Sequence, residues 1–320
     1  MLDVLTLGRV GVDIYPLQVG VGLEDVQTFG KFLGGSPTNV AVAAARYGLR
    51  TAVITRTGAD PFGTYVRRAL REFGVDDGHV DVVDGLPTPV TFCEIFPPDR
   101  FPLYFYRTPT APDLQIHADE LDLDAIAEAE LFWLTGTGLC QQPSRDAHRA
   151  ALRARRRRTH TVLDLDHRPM FWPSTTDAAA ALAEVLPEVT VAVGNLDEVR
   201  VAVGTRDPER AARALLDRGP SLAVVKMGGD GVFASTGNET VHASPVRLKV
   251  LNGIGAGDAF GGALCLGLLR RWPLARTIRF ANAAGALVAS RLACADAMPE
   301  YAETAALVDP DAGAVEGETR

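Results

Sequence analysis

The stretch Asn252-Gly253-Ile254-Gly255-Ala256-Gly257-Asp258-Ala259-Phe260-Gly261-Gly262-Ala263 puts five glycines and one carboxylate into twelve residues. Glycine-rich turns of this kind let backbone N–H groups approach a phosphate, and an acid among them is the wrong charge for simple anion binding. A P-loop would need Lys-Ser or Lys-Thr after the last glycine, and none follows. A dinucleotide fingerprint starting at Gly253 would need glycine at 258, where Asp258 stands. The remaining chemistry is phosphoryl transfer. The amides of Ala256, Gly257 and Asp258, entered through Gly255, would form a nest at a helix start, with Arg247–Leu251 as the preceding strand and the helix, whose period covers Ala256–Arg270, regular from Ala259 onward. Asp258 would then face the acceptor and take the proton of the attacking hydroxyl. A tight turn with a solvent-facing Asp fits the same letters, so the loop alone leaves both readings open.

Other polar residues in glycine-rich surroundings could hold a hydroxyl-rich ligand. Gly34-Gly35-Ser36-Pro37-Thr38-Asn39 sets two glycines before a small-residue helix, with Asn39 able to donate and accept. Asp13 follows the first predicted strand, a position suited to sugar hydroxyls. Each is individually compatible with a turn or helix-cap role.

The elements that must position these residues follow from the hydrophobic pattern. Short apolar runs such as Val4–Leu7, Leu131–Thr135 and Leu222–Lys226 alternate with Ala/Leu/Arg-rich segments of helical period, the pattern of a parallel sheet covered by helices. The expected fold class is α/β. Residues 1–11, 34–88 and 108–308 form the main domain, and 12–33 with 89–107 read as hairpins of a small β-lid. The small polar tail, 309–320, is expected to be disordered. The run Arg153–Arg158 is expected to be a solvated helix end.

The 320-residue chain carries a net charge of −8, which disfavours nucleic-acid and membrane-surface partners. Its four cysteines form no C-x-x-C pair, and its start lacks a basic leader, so a reducing cytoplasm is expected. Only three of 32 basic residues are lysines, Lys31, Lys226 and Lys249.

Taken in order, the early Gly-Gly with Asn39, Asn195-Leu-Asp-Glu198, Val225-Lys-Met-Gly-Gly-Asp-Gly231, the Gly-Ala-Gly-Asp loop and Ala281-Asn-Ala-Ala-Gly-Ala286 resemble the ribokinase-like (PfkB) carbohydrate kinases over most of the chain. The resemblance implies a three-layer α/β/α domain with a mainly parallel central sheet and a β-lid closing over the sugar. It implies Asp258 as base, and nucleotide contacts from Asn195, Lys226, Gly228, Gly231 and Asn282. ATP would bring Mg²⁺, tuned through water by Glu198. Homodimers through the lid are an analogy from the same family. Where relatives begin the loop with Asp-Thr, this chain has Asn252, which lacks the charge expected of a K⁺ site.

Cations near the predicted acceptor pocket bear on which sugar is used. Lys31, Arg107 in the lid and Arg168 in Asp-Leu-Asp-His-Arg-Pro would together suit a carboxylate plus a γ-phosphate, although Lys31 and Arg107 could equally be exposed lid residues. Several segments, among them Gly-Arg-Val-Gly-Val-Asp-Ile-Tyr-Pro and Cys-Ala-Asp-Ala-Met-Pro, look like the 5-dehydro-2-deoxygluconate kinases of inositol catabolism. The lid and the Asp-x-Asp-x-Arg-Pro element are also similar to 2-keto-3-deoxygluconate kinases. The implied reaction is phosphorylation of a terminal hydroxyl, with a fructose- or ribose-type kinase as the alternative. A non-catalytic binding protein on the same fold and a Rossmann-type oxidoreductase are the competing classes.

Overall fold

Strands that are buried on both faces read as continuous apolar runs, and every residue of Val4–Leu7 and Leu131–Thr135 is buried. The computed structural model describes residues 1–308; the predicted tail lies outside them. The chain opens with β1 (Val4–Leu7), β2 (Gly11–Pro16), β3 (Phe29–Gly34), α1 (Ser36–Arg46), β4 (Thr51–Gly58) and α2 (Pro61–Glu72). Next come β5 (Val75–Asp76), β6 (Val80–Val83), β7 (Val90–Cys93), β8 (Leu103–Tyr106) and α3 (Leu123–Glu128). A regular alternation follows: β9 (Leu131–Thr135), α4 (Ser144–Arg155), β10 (Thr161–Asp164), α5 (Thr175–Val185), β11 (Val191–Asn195), α6 (Leu196–Val203), α7 (Pro208–Leu216) and β12 (Leu222–Lys226). The hairpin of β13 (Val232–Ser235) and β14 (Thr240–Ala243) leads to α8 (Ala256–Leu269), α9 (Leu274–Ala289) and α10 (Tyr301–Val308).

The main sheet has the order β14-β13-β12-β11-β10-β9-β1-β4-β5, with β6 also on β4. It is parallel from β12 to β5 and antiparallel only at β13 and β14. Because side chains alternate along a strand, Val4 enters the core shared with α1, α8 and α9, while Leu5 enters the one shared with α4 to α7. This is the expected three-layer α/β/α arrangement. No helix among the described residues is long and apolar enough to cross a membrane.

The second sheet, β3-β2-β7-β8, is separate from the first. Asp13 pairs with Phe32 and Thr91, and Thr91 with Phe105, so these four share one face. Ile14, Lys31, Phe92 and Tyr104 share the other.

Two expectations change. Arg247–Leu251 is not a strand, although the helix spans Ala256–Leu269, within one residue of the Ala256–Arg270 that the helical period predicts. The N–H groups of Leu251 and Asn252 both go to the Ala289 carbonyl at the end of α9, so the segment docks on a helix instead of a sheet edge. The arginine run is not simply solvated either. Arg155 is buried, and its guanidinium donates to the carbonyls of Ile126, Ala127, Ala129, Glu130, Thr159 and His160, satisfying acceptors that strands and helices leave over.

Candidate active site

Asp258 sits in the first turn of α8, and two structural causes put it there. Gly255 takes φ +85°, and a Cβ at that position would lie 2.6 Å from Cys294 Sγ, so only glycine turns the chain this tightly. Gly262 then lets α8 lie directly on α1, since a Cβ there would come within 2.3 Å of Ala43 Cβ. The result brings the two helix starts together. Ser36 Oγ donates to Asp258 Oδ1 at 2.7 Å, and Asn39 Nδ2 donates to Oδ2 at 2.9 Å.

No side chain caps α8, and the N–H groups of Gly257 and Asp258 have no backbone partner among the described residues. Such open donors at a helix start favour an anion. Lys226, at the end of β12, brings its charge to the same point: its Nζ lies 3.3 Å from where a Cβ of Gly257 would be. Gly285 of α9 is also needed here, because a Cβ would come within 2.9 Å of the Ala256 carbonyl oxygen.

The rest of the constellation lines the carboxyl ends of parallel strands, the usual site edge of an open α/β sheet. Past β1 comes Arg9; past β10 come Asp166 and Arg168; β10, β11 and β12 end on Asp164, Asn195 and Lys226. Asp166 takes Arg168 Nη2 at 3.0 Å, Arg9 Nη2 at 3.4 Å and the Thr137 hydroxyl at 3.0 Å. Lys226 Nζ is 3.8 Å from Asp164 Oδ2. Asn195 and Glu198 form a capping box at the start of α6. The Asn195 side chain accepts from the N–H groups of Asp197 and Glu198, and Glu198 Oε2 accepts from the Asn195 N–H at 2.7 Å.

On the lid side, Asp13 accepts the Tyr15 hydroxyl at 2.9 Å, and that hydroxyl also meets Cys294 Sγ at 2.8 Å. Gly34 is glycine because a Cβ would strike Asp13 Oδ1 at 2.2 Å, and Gly35 because a Cβ would strike the Arg9 carbonyl oxygen at 2.4 Å. Arg107 pairs with buried Asp113 at 2.9 Å and lies 4.7 Å from the Phe171 ring centre. Lys31 stands apart from this group. It leaves the lid on the face opposite Asp13, with its Nζ over the Tyr65 ring at 3.9 Å.

Gly228 and Gly231 form the turn after β12, with φ +60° and +92°. A Cβ at Gly231 would lie 2.1 Å from the Ala243 carbonyl oxygen, whereas Gly228 and Gly229 face open space. Asn282 Nδ2 donates to the Ser244 carbonyl at 2.8 Å. Asn252 is buried; its Nδ2 donates to the Leu292 carbonyl at 2.7 Å, and its Oδ1 accepts from the Ile254 N–H at 3.1 Å.

Electrostatics follow from burial. Desolvation pushes Asp258 up to about 6, against the hydrogen bonds from Asn39 and Ser36 and the charge of Arg9. Asp13 is pushed up to about 6 for the same reason, opposed by Tyr15 and Arg9. Burial also raises Asp164. Asp166 goes the other way: burial opposes it, but Arg9 and Arg168 together hold its carboxyl below the usual range. Arg9, Asp164, Asp166 and Ser36 were not singled out from the sequence. All four lie within motif segments, next to residues whose chemistry drew more notice, and the strand-end rule points to Arg9, Asp164 and Asp166.

A carboxylate at an open helix start, a lysine beside it and a cluster of acids and arginines at the strand ends together suit a phosphoryl-transfer enzyme for a small hydroxyl compound. The chain matches the pfkB family carbohydrate kinase profile over residues 1–301 and belongs to that family. It is 32% identical over 313 residues to the 5-dehydro-2-deoxygluconokinase of Shouchella clausii, covering 96% of this chain and 95% of that protein. Two solved structures share the ribokinase-like fold. One, from E. coli and assigned as a ribokinase II with ATP and Mg²⁺ bound, has a TM-score of 0.87 at 23% identity, over 97% of this chain and 100% of that one. A fructokinase with bound ATP from Xylella fastidiosa gives 0.84 at 22%, over 98% and 100%.

Proposed function

We propose that the chain transfers the γ-phosphoryl group of ATP to the terminal hydroxyl of a sugar acid, 5-dehydro-2-deoxygluconate. The observation that carries this reading is Asp258 at the open start of α8, beside Lys226 and across from Asp13 and the arginines. The relative from Shouchella clausii supports the choice of acid. Two side-chain atoms buried without a partner among the described residues, Asn39 Oδ1 and Arg168 Nε, supply an acceptor for a sugar hydroxyl and a donor for an anion.

In this mechanism the acceptor oxygen bonds to Pγ as the bond from Pγ to the β-bridging oxygen breaks. The hydroxyl proton passes to Asp258, late in a loose transition state, where a carboxylate near 6 suffices. The open amides of Gly257 and Asp258 hold the transferred group, joined by that of Ala256 on release of its long 3.5 Å bond to the Gly253 carbonyl, and Lys226 offsets its charge. Asp13, Gly34, Gly35 and Asn39 hold the sugar, while Arg107 and Arg168 make the acceptor pocket positive. Gly228 and Gly231 let the nucleotide pass close, and Asn195 and Asn282 border it.

Mg²⁺ neutralises phosphate charge when bound. No group of three or more His, Cys, Asp or Glu side chains suited to a metal exists among the described residues. A cation carried by ATP would keep most of its waters, and Glu198 would act on it through one of them. K⁺ fits less well. Asn252 offers no charge, and its amide nitrogen already occupies the Leu292 carbonyl, so the loop is tied by hydrogen bonds. The exposed lid face, with Phe29 and Tyr106 packed edge-on to Phe92, suits a homodimer. Cytoplasmic residence suits the four free cysteines.

ADP release with 5-dehydro-2-deoxygluconate, 2-keto-3-deoxygluconate, fructose, ribose and a nucleoside tests the reading. The first should give the highest kcat/KM, and turnover of fructose or a nucleoside without that acid would overturn it.

A further inference from the structure

The three arginines near the acceptor pocket are not equivalent. Arg107 is the hydrogen-bonding partner of Asp113, whose other oxygen already lacks one among the described residues. Drawing Arg107 away would strand a buried carboxylate. Arg168 gives Asp166 its closest guanidinium contact, at 3.0 Å. Arg9 differs: its Nε and Nη2 both stand 3.4 Å from one oxygen, Asp166 Oδ2. That is long for a charged hydrogen bond, and the same oxygen already takes the Thr137 hydroxyl. Without Arg9, Asp166 would keep Arg168 and Thr137. Arg9 is therefore the guanidinium that can leave its partner at least cost.

Its position suits that freedom. The Arg9 main chain is pinned, with its carbonyl against Gly35 and accepting the Thr38 hydroxyl at 3.2 Å. Its guanidinium lies 5.9 Å from the ring centre of Phe105, on the lid face that also carries Asp13. The charge of Arg9 lowers Asp13, Asp113, Asp166 and Asp258 alike, so it is felt on both the lid side and the α8 side of the site.

We propose that Arg9 determines specificity for acids over neutral sugars: its guanidinium turns from Asp166 to pair with the substrate carboxylate, backed by Phe105. This rests on the sugar-acid reading above. A carboxylate enclosed beneath the lid needs a counter-charge, and a neutral sugar does not.

The test compares kcat/KM for 5-dehydro-2-deoxygluconate and for fructose in wild type, Arg9→Gln and Arg9→Lys, with melting temperature and ATP KM measured alongside. In Arg9→Gln, assayed at pH 8 so that Asp258 stays ionised without the charge of Arg9, the acid-to-fructose ratio of kcat/KM should fall on the order of 100-fold, mainly through the KM for the acid, while ATP KM holds within about threefold. Arg9→Lys should recover part of the loss and stands in if the Gln variant does not fold. Equal losses for both sugars, or an unchanged acid, would overturn the inference while leaving the wild-type preference intact. A wild type with no preference for the acid would overturn the sugar-acid reading and this inference together.

Discussion

At the scale of single residues, the site works through carboxylates held where water is scarce. Asp258→Asn removes the proposed base but not the donors around it, and the unpartnered Asn39 Oδ1 lets that amide turn to meet the new one. Turnover should fall by about 10²- to 10⁴-fold, with ATP affinity within a few-fold by titration; near-normal rates would defeat the assignment. Asp258 and Asp13 both lie near 6, so kcat/KM should drop as pH falls through that value. Stability runs the other way. Because both carboxyls are raised, their favourable contribution is full below the ordinary carboxylate range and lost as pH rises through about 6. Asp258→Asn should therefore melt above wild type at pH 8, with the gap closing at pH 5. At Asn252 a carboxylate would lose the donor to Leu292 and set an anion against a carbonyl. Asn252→Asp should lower the melting temperature and make both stability and turnover respond to K⁺, whereas wild type should ignore it.

At the scale of elements, the glycines divide by task in a way their letters do not disclose. Gly255 and Gly257 shape the start of α8, whereas Gly261 and Gly262 lie under it, against Trp133 and Ala43. Gly262→Ala should push α8 off α1 and pull Asp258 from Ser36 and Asn39. We expect at least tenfold slower turnover for a stability loss of about 1–3 kcal/mol, read by initial rates and denaturant melts; unchanged kcat would show that α8 tolerates the shift. Strand cores such as Val4–Leu7 and residues 222–225 were legible because complete burial leaves continuous apolar runs. Arg247–Leu251 alternates like a strand yet docks on α9, a tertiary choice that local pattern does not encode. For the same reason the buried role of Arg155 was hidden: a guanidinium gathering six carbonyls looks, in sequence, like any charged helix end.

At the scale of the molecule, the lid is threaded through the core twice, between β1 and α1 and again between β6 and α3. Asp13 and Gly34 lie on its strands, with Arg9 and Arg107 at its junctions, so any movement of this small sheet would shift these residues relative to Asp258. The ordered series of glycine and Asn motifs made the family legible and singled out Asp258, which the fold sets at the open start of α8. The pairing of Arg9 with Asp166 was not, because it joins residues 157 apart and depends on strand order. Tyr106→Glu places a charge on the exposed lid face and should turn the expected dimer into a monomer by sedimentation. A wild-type monomer would remove the lid as an interface.

The scarcity of lysine gives the site a chemical address. An amine-directed reagent meets only Lys31, Lys226 and Lys249 besides the amino terminus. Lys31 and Lys249 are exposed, while Lys226 stands beside the open amides of α8. Peptide mass spectrometry after brief acylation should find Lys226 alone shielded by ATP, in wild type and in Asp258→Asn alike. Occupancy of the phosphate nest could then be followed without any turnover, and equal labelling with and without ATP would move the nucleotide elsewhere.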